Sequence, residues 1–197
     1  MKFITITSGL FLLATAVTAQ QKIDSALYKQ ISSMYKEDQK WRIEANKLYK
    51  KQKSDYDQAT VDKSWAITDS TNEVAAKQIL ARYGYPGYSL VGESGSSRFW
   101  AIVQHCDDDV KFQQRVLVLM KKEVKRHNAS GEDFAYLKDR VLVNLGKPQL
   151  YGTQARLNNK TNKFEPVDLT DARNVDKRRR QVGLGPLKDY LAQLNAN

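Results

Sequence analysis

Cysteine, histidine and long apolar runs are scarce in this chain, and each shortage closes a route. The single cysteine, Cys106, can form no internal disulfide. With one thiol and two histidines, a zinc site of the usual ligands is not expected. Past the first twenty residues, no segment approaches the roughly eighteen apolar residues that a transmembrane helix needs. There is no phosphate-cradling glycine loop ending in Lys-Ser or Lys-Thr, and no dinucleotide fingerprint. Gly92-Glu93-Ser94-Gly95-Ser96 comes near a nucleophile elbow but lacks the closing glycine and a preceding buried strand. No cofactor is expected.

The amino terminus is the exception to the apolar poverty. Lys2 precedes a run from Phe3 to Val17 interrupted only by Thr, Ser and Gly. Val17-Thr18-Ala19 then offers the small-x-Ala pattern of signal cleavage, with Gln20 as the first mature residue. The alternative, a retained anchor, is disfavoured by a run too short to span a bilayer comfortably. No cysteine lies near the cleavage point, which argues against a lipid anchor. Residues 1–19 are thus expected to be a signal peptide, and 20–197 one periplasmic or secreted domain. Removing 19 of 197 residues leaves 178, enough for a real core without disulfides. A monomer is expected.

The chain is basic, with 32 Lys and Arg against 22 Asp and Glu, a net charge of +10. Such a balance favours acidic partners such as anionic lipid, envelope polymer or nucleic acid. Most of the cations alternate with acids, however. The densest runs, Lys121, Lys122, Lys125 and Arg126, then Lys177 to Arg180, lack the interleaved aromatics of a single-strand binder. Solvated helix faces explain them better than nucleic-acid binding.

Periodicity predicts a mainly α fold: a single helical domain with a small β-hairpin in its C-terminal third. From Ile23 to about Lys53, apolar residues recur at three and four, with Asp38 intruding on the apolar stripe and Arg42 one turn later. Ser70 and Glu73 have capping-box spacing for a second helix, which Gly84 would end. Gly92 to Ser97 reads as a flexible loop. Phe99 to Val103 is a buried run, followed by a helix capped by Asp107 or Asp108. Glu132 to Leu145 is apolar nearly all round and should be central, although Asp139 and Arg140 interrupt it. Leu150–Leu157 and Lys163–Leu169 are expected as hairpin strands. Short helices near Val175–Val182 and Leu187–Leu194 finish the chain.

Candidate chemistry gathers where polar groups meet apolar segments. Imidazole ordinarily changes charge near neutral pH, so His105, after Gln104 and before three aspartates, is a candidate general base. A packed histidine beside a helix cap is the plainer reading. An oxygen-rich metal site at His105 and its aspartates is less economical than capping carboxylates. Cys106 reads as a small buried thiol rather than a nucleophile. Asp38 and Asp139 are more informative, because a buried carboxylate needs partners. Arg42 and Arg140 are the obvious ones. Gly146 to Gln154 carries Gln149, Tyr151 and Gln154, groups that suit either a pocket wall or a hairpin edge.

These segments together resemble a bacterial family described as domain of unknown function 6624. The resemblance rests on Asp38-Gln39-Lys40-Trp41-Arg42, Gln104-His105-Cys106-Asp107, Leu137-Lys138-Asp139-Arg140-Val141, Gly146 to Gln154, and Asn174 to Arg179 followed by Val182-Gly183-Leu184. Cys106 departs from the small residue such a pattern has there. The resemblance names no reaction but marks these residues as one set. It implies a shared polar pocket with His105, Asp139 and Asp38 as catalytic candidates. Arg42, Gln104, Gln149, Tyr151 and Gln154 would be the ligand-binding candidates. Three readings follow: a hydrolase-like envelope enzyme, a non-catalytic binder of an envelope polymer, peptide or small molecule, and a structural hydrogen-bond network. The first two require a cleft beside His105, and the enzyme further requires an Asp carboxylate within about 3 Å of it.

Overall fold

A computed structural model describes residues 23–196; the signal-peptide expectation lies outside them. Among the described residues, seven α-helices and one two-stranded sheet make up the fold, which is mainly α. Helix α1 (Ser25–Tyr49) starts where the Asp24 carboxylate accepts the Leu27 N–H at 2.9 Å. Helix α2 (Gln58–Tyr83) starts on Asp57, which accepts from Thr60 N at 2.7 Å, and stops at Gly84, whose φ is +71°. The expected capping box at Ser70 and Glu73 is therefore not a helix start. Both residues lie mid-helix, because Asp57-x-x-Thr60 supplies an earlier cap and buried Val61 an earlier anchor.

Helix α3 (Tyr88–Gln104) replaces the flexible loop expected at Gly92–Ser97. Gly92, at φ +73°, only kinks it. The small residues serve proximity rather than freedom, since a Cβ on Gly95 would lie 3.0 Å from the Tyr28 ring of α1. Helix α4 (Val110–Lys125) is capped by Asp109 rather than Asp107 or Asp108; its carboxylate accepts Phe112 N at 2.8 Å. Helix α5 (Gly131–Asn144) begins on Ser130. It is not central as expected, since Leu145 just past its end is exposed and only Ala135, Leu137, Asp139 and Val141 are buried.

The core is one contiguous set from the first five helices, anchored by Ile31, Phe99, Ile102, Phe112, Met120 and Leu137. Helix α1 packs against both α2 and α3, and α4 against α5. Strands β1 (Ala155–Asn158) and β2 (Lys163–Pro166) form the antiparallel hairpin, with Ala155 opposite Pro166 and Asn158 opposite Lys163. They are shorter than expected because Gln149 and Leu169 leave the hairpin and meet in an isolated parallel bridge. A 3-10 turn over Ala172–Asn174 leads into α6 (Val175–Gln181), and α7 (Leu187–Ala196) closes the chain. Among the described residues, no helix is long and apolar enough to cross a membrane.

Candidate functional site

The polar residues that looked like one pocket divide into two groups. The first joins α1, α2 and the end of α3. Asp38 is carried into the interior by the α1 stripe and is 2% exposed. Its Oδ1 lies 3.0 Å from His105 Nδ1 and 3.1 Å from Arg42 Nη2, while Oδ2 accepts from Gln39 Nε2 at 2.8 Å. Arg42 also donates from Nε to His105 Nδ1 at 3.0 Å, and from Nη2 to Asp69 Oδ1 at 2.9 Å. Trp65 Nε1 donates to the other Asp69 oxygen at 2.7 Å, and the Arg42 guanidinium stacks 4.6 Å from the Trp65 ring centre.

Geometry makes Nδ1 a junction with two settings. A bare Nδ1 accepts from Arg42; a protonated Nδ1 donates to Asp38. One nitrogen cannot do both at once, so placing a proton on Nδ1 exchanges Arg42 for Asp38 as its partner. With the proton toward Asp38, Nε2 carries the lone pair and makes no hydrogen bond to a described residue. Arg42 Nη1 is buried without a partner among the described residues, which costs roughly 1–3 kcal/mol where such a group stays unpaired.

His105 forms part of the wall of an open cavity of about 500 Å³ between α2 and the turn into α4. Among the described residues, the cavity's charged lining is Asp62, Asp69, Glu73 and Asp108, with no Lys or Arg. Arg42 offsets Asp69 and Lys77 offsets Glu73, whereas Asp62 meets only the neutral Gln58 amide and Asp108 has no ion pair among the described residues. Cys106 also lines the cavity, but burial pushes its thiol up to about 12, so it is a poor nucleophile. Among the described residues, no group of three or more His, Cys, Asp or Glu is arranged to hold a metal ion.

The second group ties the C-terminal third together. Asp139 is fully buried and accepts the N–H groups of Leu150 at 2.7 Å, Tyr151 at 3.0 Å and Thr153 at 3.0 Å, with the Thr153 hydroxyl at 3.1 Å. Burial pushes its carboxyl above the usual range, against the pull of those donors. Gln149, also fully buried, donates to the carbonyls of Gln154 at 2.8 Å and Val167 at 2.7 Å, and accepts Gln154 N at 2.9 Å. Arg179 donates to the Tyr151 carbonyl at 2.7 Å, and Arg178 to the Leu150 carbonyl at 2.6 Å.

These contacts set aside the single shared pocket. Among the described residues, none of Asp139, Gln149, Tyr151 or Gln154 is bonded to Asp38, Arg42 or His105, or lines the cavity beside His105. The physical reason is demand: a tight loop over 149–154 exposes several backbone donors and carbonyls, and these side chains satisfy them. Gln104 ends α3 beside His105, yet it does not line the cavity, and its carbonyl accepts from Gln113 Nε2 at 3.4 Å. Arg140 does not pair with Asp139. It binds Asp107 instead, with Nε to Oδ1 at 2.8 Å. Desolvation there favours the neutral acid, but Arg140, Gln113 and Asn144 outweigh it and hold the Asp107 carboxyl low.

Sequence reasoning missed Asp62, Trp65, Asp69 and Glu73 as site residues. Their signal was a stripe: Asp62, Ala66, Asp69 and Glu73 follow helical spacing on one face, and all line the cavity. No curated protein and no solved structure matches the chain. A family model does match over residues 25–197, so the chain belongs to the family of unknown function DUF6624.

Proposed function

We propose that the chain is an exported enzyme of hydrolase type, with His105 as the acid–base group and Asp38 as its positioning residue. One observation carries this reading: a buried carboxylate 3.0 Å from His105 Nδ1, with that histidine in the wall of an open cavity. In such a pair the carboxylate fixes the tautomer and stabilises the imidazolium. Nε2 then takes a proton from a water molecule as it attacks the substrate, and returns it to the leaving group. Arg42 pairs with Asp38 and gives up its hydrogen bond to Nδ1 when that nitrogen carries the proton. The thiol of Cys106 has no part in this chemistry.

The cavity charge limits the substrate. Two uncompensated carboxylates in a concave site of a basic protein concentrate cations and repel phosphates and other anions. An ester or amide bearing a protonated amine fits this field. Cell-envelope peptides and amino sugars carry such groups, and the amino-terminal signal pattern supports that compartment. The second reading, a binder without turnover, rests on the same cavity and the same charge.

Chromogenic esters and amides, each made with and without a free amine, test the proposal. Turnover confined to the amine-bearing members, and abolished in His105→Ala, is the expected result. Amine-bearing compounds that raise the unfolding midpoint without being cleaved select the binder. Neither turnover nor a midpoint shift overturns both readings. Amino-terminal sequencing of the protein recovered from the cell envelope should begin at Gln20; an intact Met1 in the cytoplasm contradicts export.

A further inference from the structure

Two surface grooves flank α4 and share the side chain of Val118 between them. The groove toward α2, about 490 Å³, has Leu80, Phe112, Val118 and Leu119 in its walls, with Lys77 and Arg115 as its charges. The groove toward α5, about 360 Å³, adds Leu142 and Leu145 as apolar walls and Lys121, Lys138 and Lys147 as charges. Among the described residues, no carboxylate lines either one. Lys77 is engaged by Glu73 and Asp109, but Lys121, Lys138 and Lys147 have no ion pair among the described residues. Val118, 61% exposed, stands on the ridge, and Leu145 is 41% exposed beyond it. This face is therefore the electrostatic opposite of the acidic cavity beside His105.

We infer that this face docks on an anionic bilayer surface. Arg115, Lys121, Lys138 and Lys147 would face lipid phosphates while Val118 and Leu145 enter the headgroup layer. Exposed aliphatics set among unpaired cations are the two combined signals that peripheral binding needs, since neither alone suffices. Nucleic acid fits less well, because the most exposed apolar groups, Val118 and Leu145, carry no ring. Of the rings in the walls, Phe112 is fully buried and Phe134 only partly exposed, so bases find no open face to stack on. An acidic peptide fits less well too, because the ridge at Val118 divides the apolar surface into two short grooves, while a deformable headgroup layer follows both. The inference is independent of the chemistry assigned to His105.

Co-sedimentation with phosphatidylglycerol–phosphatidylcholine vesicles, against phosphatidylcholine alone, tests it. The chain should partition onto the anionic vesicles only and be released by high salt. Each cation near the surface contributes roughly fivefold, so the triple variant Arg115→Gln, Lys121→Gln, Lys138→Gln should lower partitioning roughly a hundredfold. Val118→Asn should weaken binding at unchanged charge, and its circular dichroism should match the parent. The salt titration of the parent needs no variant. Equal binding to both vesicle types, no binding to either, or undiminished binding by the triple variant overturns the inference. Binding to polyglutamate or duplex DNA without vesicle binding overturns it as well, by assigning the face to a macromolecule.

Discussion

Two buried aspartates do opposite work in this molecule. Asp139 spends its oxygens on backbone N–H groups and a hydroxyl, and every donor it meets belongs to a loop that must close. Asp38 spends its oxygens on Gln39, Arg42 and His105, three side chains, one of which lines a cavity. Backbone donors cannot leave without unfolding the loop, so the first arrangement is fixed. Side chains exchange partners, as the shared Nδ1 of His105 requires, so the second can change with a proton. Burial alone does not mark a site; the identity of the partners does.

The contrast breaks most visibly on substitution. Asp139→Ala orphans three backbone donors and a hydroxyl, and should cost about 3–5 kcal/mol. Asp38→Ala removes only side-chain partners and leaves Arg42 bound to Asp69 at 2.9 Å, so about 1–2 kcal/mol is expected. Chemical denaturation of the two variants compares them directly. His105→Ala should change stability by less than about 1 kcal/mol while lowering turnover by roughly 10²–10⁴-fold, measured with whichever amine-bearing substrate is cleaved.

A smaller effect comes from Asp133, which belongs to neither group. Burial pushes its carboxyl up to about 6, with the Ser97 hydrogen bond opposing and Glu132 adding to the rise. The folded state then holds that proton more tightly than the unfolded chain, whose value is about 3.9. Its contribution to stability is complete below about pH 4 and is lost as pH rises through about 6. Asp133→Asn should flatten that decline and raise the neutral-pH midpoint by a few degrees, roughly. A midpoint that falls instead means the carboxylate is needed at the start of α5, where the helix dipole favours it.

Much of the architecture was legible because it depends on local signals. Periodicity located α1, and Gly84 marked the end of α2 correctly. The errors had specific causes. Ser70 and Glu73 match a capping box, but cap geometry is decided by which donors are free, and those of α2 are free at Asp57. Gly92 to Ser97 has loop composition, yet Gly95 is small because Tyr28 comes close. Asp38, Arg42 and His105 were recognisable singly. Their meeting, and the separation of Asp139 and Gln149 from them, depends on contacts between residues far apart in sequence, which periodicity does not encode. Of the acidic stripe on α2, Glu73 falls within the capping-box pattern, and Asp62 lies ahead of the helix start that this pattern marks, so the pattern hides the stripe.

The most direct test of the division is a pair of thermal unfolding curves, Asp38→Ala beside Asp139→Ala at one pH. For a chain of this size each kcal/mol moves the midpoint by roughly 2–4 °C. The account predicts a loss of about 10 °C or more for Asp139→Ala, and only a few degrees, about half as much or less, for Asp38→Ala. Equal losses would contradict it, because both aspartates would then be structural.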